Sequence, residues 1–153
     1  MNKLFHLTKQ GVDELQAELE ELIALRAVIA DRIKTAREFG DLSENMEYSA
    51  ARQDQERNEN RITEIEHILK NVAVIKDPKS NGKVVLGSTV KLRTEDGRTK
   101  EFQVVGTVEA DPLNGKISDE SPIGRALMGR KEGEAVEIKT PIETALYKIA
   151  DIA

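Results

Sequence analysis

Phe39-Gly40-Asp41-Leu42-Ser43-Glu44-Asn45 decides the fold, because the sequence on either side of it is a mirror. Upstream, Val12, Leu15, Leu19, Leu22, Arg26, Ile29, Ile33 and Ala36 recur in steps of three and four, the spacing of a heptad seam. Downstream, Tyr48, Ala51, Gln55, Asn58, Ile62, Ile65, Leu69 and Val72 recur in the same steps. Taken from the outside in, Val12 pairs with Val72, Leu15 with Leu69, and so on to Ala36 with Tyr48. Every pair is centred on Leu42. Two helices with matched seams and a short connection pack antiparallel. Residues 1–75 are therefore expected to form an antiparallel coiled-coil hairpin whose tip is residues 40–45.

Local signals bound the helices. Thr8 is an N-cap residue for the first, and Gly40 stops it. The second begins near Ser43 or Glu44 and runs to about Val72. Some thirty residues at 1.5 Å each make a rod of roughly 45 Å, so the tip is expected to project far from the rest of the chain. Arg26, Gln55 and Asn58 make the half of the seam nearer the tip polar, and polar seam residues fix register at a cost in stability.

The helical period ends in Lys76-Asp77-Pro78-Lys79-Ser80-Asn81-Gly82, and residues 76–82 read as a linker. From residue 83 to 153 the pattern is strand-like. Strands are expected at Val84–Leu86, Thr89–Leu92, Lys100–Val105, Lys116–Ser118, Gly133–Lys139 and Thr144–Ile152, with Glu95-Asp96-Gly97 as a hairpin turn. Ser121-Pro122 opens a short helix that ends at Gly129. The fold class is α+β: a helical hairpin followed by a small antiparallel β-sheet domain with one short helix.

Composition narrows the function. Charged residues are 33% of the chain, aromatics 3%, and the net charge is −5, so any nucleic-acid contact must come from a local patch. There is no Cys, and His6 and His67 have no zinc spacing. No apolar run approaches the length of a membrane span, and no signal-peptide pattern opens the chain, which reads as a soluble intracellular protein.

The tip carries the chemistry. Asp41 and Glu44 offer carboxylate oxygens of the kind Mg²⁺ takes. Two carboxylates alone hold that ion poorly, so the tip makes sense as half of a site completed by a partner. The same two residues, with Ser43, also fit a plain capping arrangement at the start of the second helix. Arg37 and Arg52 fall at facing e positions, where like charges are unfavourable unless an anion such as a phosphate lies between them. They would equally splay into water and pair with Glu47 or Glu56. On the other flank Arg32 faces Asp54, an opposite-charge pair.

Gly40-Asp41-Leu42-Ser43-Glu44-Asn45-Met46-Glu47-Tyr48 with Ala50-Ala51-Arg52 closely resembles the tip of the bacterial Gre transcript cleavage factors. Leu7-Thr8-Lys9-Gln10-Gly11-Val12-Asp13-Glu14-Leu15, Gly82-Lys83-Val84, Gly87-Ser88-Thr89-Val90 and Ser121–Gly129 are similar to that family too, closest to its GreA type. The resemblance implies a transcription elongation factor that binds bacterial RNA polymerase and enters its secondary channel. There it stimulates the polymerase's own Mg²⁺-dependent cleavage of backtracked RNA 3′ ends. It implies an accessory factor and not a free enzyme. Asp41 and Glu44 match the metal-assisting acids, and Arg37 and Arg52 the residues near RNA. The C-terminal domain is implied to be FKBP-like and to dock on the polymerase, with Ser121, Pro122 and Ile123 as candidates. A cytoplasmic monomer is expected. A non-catalytic binding module, or an inhibitor of the same channel, is the alternative. Met46 stands where the family has a small residue. Pro141-Ile142-Glu143-Thr144 lacks the glycine expected in the last turn.

Overall fold

The computed structural model describes residues 4–40, 42–75, 82–139, 141 and 144–153, with residues 39 and 42–45 by backbone only. In chain order these form β1 (Phe5–Leu7), α1 (Lys9–Phe39), α2 (Leu42–Lys70), β2 (Val72–Val74), β3 (Thr89–Thr94), β4 (Thr99–Val105), a 3-10 turn (Pro112–Asn114), β5 (Lys116–Ser118), α3 (Pro122–Leu127), β6 (Ala135–Lys139) and β7 (Thr144–Ile152). Two compact units result: Val12–Asn71, and Met1–Gly11 with Val72–Ala153.

The first unit is the helical hairpin. α1 starts where expected, the Thr8 hydroxyl accepting from the Gly11 amide at 3.1 Å. It ends before Gly40, whose φ of +74° is left-handed and costs little without a Cβ. Four cross-helix ties show the antiparallel register. Arg61 grips Glu18 with two bonds of 2.9 Å. Arg26 grips Glu59 at 2.8 and 2.9 Å. Asn58 Nδ2 donates to the Leu22 carbonyl at 2.9 Å, and Arg32 reaches Asp54 at 2.9 Å. Each tie joins positions near mirror images about Leu42.

Leu15, Ile29, Ile33, Ala36, Ala51, Ile62 and Ile65 are buried, as the seam requires. Two seam details differ. Arg26 is exposed, because its long stem lets the guanidinium bend outward to Glu59. Ile68, outside the expected seam, is only 3% exposed.

The second unit is a five-stranded sheet in the order β5-β4-β3-β7-β6. The expected all-antiparallel sheet is corrected to a mixed one: β5 runs parallel to β4, Gln103 opposite Lys116. The chain reverses twice between them, at residues 107–109 and through the 3-10 turn, and so returns in β4's direction. A second parallel pair, β1 with β2, was absent from the sequence expectation. Both ends of the expected hairpin segment, up to Gly11 and from Val72, belong to the sheet unit. Val84–Leu86 is not a strand. The Val85 amide donates to the Ser88 hydroxyl at 3.0 Å, and the Ser88 amide donates to the Val85 carbonyl at 3.0 Å, which bends the chain into a turn. Most of the expected linker, residues 76–81, lies outside the described residues. So do Ile142 and Glu143 of the Pro141–Thr144 stretch, although β6 and β7 pair in register, Ala135 opposite Lys148 to Lys139 opposite Thr144.

One sheet face is apolar. Val90 and Leu92, Val104, Ile117, Val136 and Ile138, Ile149 and Ile152 point into one core, closed by Val84 and by Leu127 of α3. Ile149 and Ile152 are three apart, out of step with the strand period of two. A register shift between Lys91 and Leu92 absorbs the extra residue as a bulge and turns both inward. Each such buried side chain contributes about 1.5–3 kcal/mol.

Candidate functional site

Asp41 lies outside the described residues. Glu44 belongs to the first turn of α2, but its side chain is likewise outside them. Met46, just beyond, is 73% exposed. The described part of the site is the pair of helix ends flanking these acids.

Arg37 lies in the last turn of α1, where a cation suits the negative end of the helix dipole. Its guanidinium sits over the Tyr48 ring, 5.6 Å from the centroid, a cation–π arrangement. Its Nη2 also points at the Tyr48 hydroxyl at 3.5 Å, the long limit of a hydrogen bond. Arg52, one turn along α2 from Tyr48, donates to Gln55 at 2.9 Å. Neither arginine takes Glu47, which binds Arg32 at 3.3 Å. Arg37 and Arg52 act together on Tyr48. The Arg37 hydrogen bond holds the phenol below the ordinary tyrosine value, and both positive charges push the same way against desolvation. The ring itself is anchored against the buried Ile29, Ile33 and Ala51.

The three docking candidates are dissimilar. Ser121 caps α3: its hydroxyl accepts from the Gly124 amide at 3.1 Å and donates to the Ser118 carbonyl at 2.6 Å. Ile123 packs on the sheet core. Pro122 is exposed, as are Arg125 on the same helix and Met128 just after it. Among the described residues no group of three or more His, Cys, Asp or Glu is placed to hold a metal ion, and no helix is long and apolar enough to cross a membrane.

Residues 5–74 match the family described as "Transcription elongation factor, N-terminal", and residues 79–153 match "Transcription elongation factor, GreA/GreB, C-term". This chain belongs to the GreA/GreB transcription elongation factor family. It is similar to transcription elongation factor GreA of Bacillus velezensis, 43% identical over 99% of this chain and 98% of that one. The GreA of Lactococcus lactis is 44% identical over 99% of both. Among solved structures, GreA factor homolog 1 of Thermus thermophilus is 30% identical over 99% of both chains, at a TM-score of 0.45.

In this member of the family, the sequence reading placed Arg37 and Arg52 on one flank but assigned Tyr48 to the seam alone. Tyr48 is the ring that holds Arg37. The signal was present in the sequence: an aromatic at the last seam position, eleven residues from an arginine across the turn, is placed to stack with it.

Proposed function

We propose that this chain binds bacterial RNA polymerase, inserts its coiled coil into the secondary channel, and stimulates the polymerase's cleavage of backtracked RNA 3′ ends. The observation that carries the reading is family membership along both units, with relatives over 40% identical from end to end. The hairpin adds a physical reason. A rigid helical pair with two acids at its turn is suited to deliver carboxylates into a site that another molecule holds.

Asp41 and Glu44 are the groups assigned to the reaction. They are hard oxygen donors, which fits Mg²⁺, but two are too few for a site of their own, so polymerase ligands and RNA phosphate would share the ion. When bound, the ion supplies water activation and charge neutralisation at the phosphodiester. Arg37 and Arg52 hold the extruded RNA strand by its phosphates, with Arg37 presented by Tyr48. The C-terminal unit, read as FKBP-like, docks on the polymerase through Ser121, Pro122 and Ile123. Of these, Pro122 has the freest surface. The protein acts in the cytoplasm, as a monomer, because each half of the helical seam already has its partner.

The test is addition of the protein to a backtracked polymerase carrying end-labelled transcript and Mg²⁺. Cleavage is expected to accelerate. Asp41→Asn or Glu44→Gln is expected to lower that stimulation on the order of 10²-fold while binding persists. Unchanged cleavage in both variants would favour a binding module whose tip is only a cap. Cleavage of naked RNA by the protein alone would favour a nuclease.

A further inference from the structure

Gly11 stands at the third position after the N-cap Thr8, inside the first turn of α1, although glycine is a poorer helix former than alanine. In a capping box that position carries Glu or Gln, whose side chain accepts from the N-cap's backbone amide. Gly11 has no side chain to do so. Glu109, in the turn after β4, does it instead. Its Oε1 accepts from the Thr8 amide at 2.8 Å and its Oε2 from the Thr8 hydroxyl at 2.6 Å. The Thr8 hydroxyl in turn accepts from the Gly11 amide at 3.1 Å. The Glu109 side chain is 5% exposed, with Lys116 Nζ 3.6 Å from Oε2. A Cβ on Gly11 would stand 2.5 Å from Glu109 Oε1. Glu109 thus occupies the space a side chain at position 11 would need.

We propose that Glu109 is a positioning residue that completes the capping box of α1 from 101 residues away and fastens the root of the helix to the sheet unit. Gly11 is glycine to admit it. α1 is continuous from Lys9 to Phe39, so a loosened first turn loosens the root of the hairpin. If the chain engages its partner through both units, as the proposed function requires, a looser root costs ordering entropy on binding. The chemistry at the tip, once bound, is untouched.

The first test is a thermodynamic cycle on the full chain. Gly11→Ala in the native background is expected to lower Tm by about 3 °C, as the methyl displaces the carboxylate. In the Glu109→Ala background the same substitution is expected to leave Tm unchanged or raise it, alanine being the better helix former. Equal loss of Tm in both backgrounds would overturn the proposal. The second test reads stimulated cleavage against factor concentration. Glu109→Ala is expected to raise the half-saturating concentration about tenfold and keep the maximal rate, and Glu109→Gln, which retains an acceptor for the Thr8 amide, to recover most of the loss. An unchanged concentration dependence in Glu109→Ala would reduce Glu109 to a purely structural cap and sink the positioning role. A native protein that stimulates no cleavage would defeat the functional reading instead, and the Tm cycle would still report on the box.

Discussion

The two units are held together in opposite ways. In Val12–Asn71 the buried residues form a line, and exposed or half-buried arginine–carboxylate pairs stitch the helices between them: Arg61 to Glu18, Arg26 to Glu59, Arg32 to Asp54. In the sheet unit, ten buried apolar residues from five strands, α3 and the turn at Val84 share one core. A line tolerates polar interruptions, because each layer touches only its neighbours. A shared core does not. The difference teaches why this chain places its candidate reactive residues on the hairpin. Charged groups there cost little, and the sheet unit supplies cohesion.

The contrast is sharpest for single core truncations. Leu92→Ala is expected to cost the sheet unit about 2–5 kcal/mol, and Ile65→Ala a similar amount in the hairpin. In a Tyr48→Phe background, urea unfolding followed by helical circular dichroism and by the Tyr147 signal separates them. Movement of both signals together by either substitution would break the contrast and make the chain one cooperative body.

A smaller effect is expected at Asn58, 7% exposed and bonded to the Leu22 carbonyl. Asn58→Leu is expected to raise hairpin stability by about 1 kcal/mol while broadening the alignments it samples. Hydrogen exchange across α1 and α2 reports the second effect. Uniform protection with a register unchanged would show that Asn58 fixes nothing.

The stitching itself is weaker still and depends on pH. The Arg26 hydrogen bond, reinforced by its charge, holds the Glu59 carboxyl below the ordinary carboxylate range against desolvation. The ionised form is thus favoured in the folded hairpin. Its contribution is present above the unfolded carboxylate pKa and is lost as pH falls through the lower folded value. Glu59→Gln is expected to flatten part of the acid limb of the helicity–pH curve, and added salt to have a similar effect. Near the tip, the Tyr48 phenol ionises below the ordinary tyrosine value. In a Tyr147→Phe background, Arg37→Met is expected to move that alkaline transition upward by ultraviolet titration. No movement would remove Arg37 from the Tyr48 ring.

Much of the hairpin was legible because its information is local. Heptad steps, the Thr8 cap and Gly40 are read from neighbours a turn apart, and mirrored seams fix which residues meet. Arg26 was misread because spacing shows where a Cα lies and not where a long side chain ends. In the sheet, the strands expected at 89–92, 100–105, 116–118 and 144–152 from alternation and turns lie within observed strands. The Glu95-Asp96-Gly97 turn showed that β3 pairs with β4, but the direction of β5 was not legible, since period-2 patterning is the same for parallel and antiparallel neighbours. The candidate site was legible as residue types in a spacing. The tie from Arg37 to Tyr48 was legible only as a spacing, an aromatic and an arginine facing each other across the turn; the contact itself depends on rotamers.

The sequence by itself determined the hairpin, its register about Leu42, the capping of α3 by Ser121, and the acids at the turn. Only the tertiary structure decided that β1 pairs with β2, that β5 lies parallel to β4, and that Glu109 takes the place left open by Gly11. The physical reason is separation along the chain. Helical periods and caps act between residues three or four apart, whereas these last contacts join segments whose meeting depends on how the whole core closes.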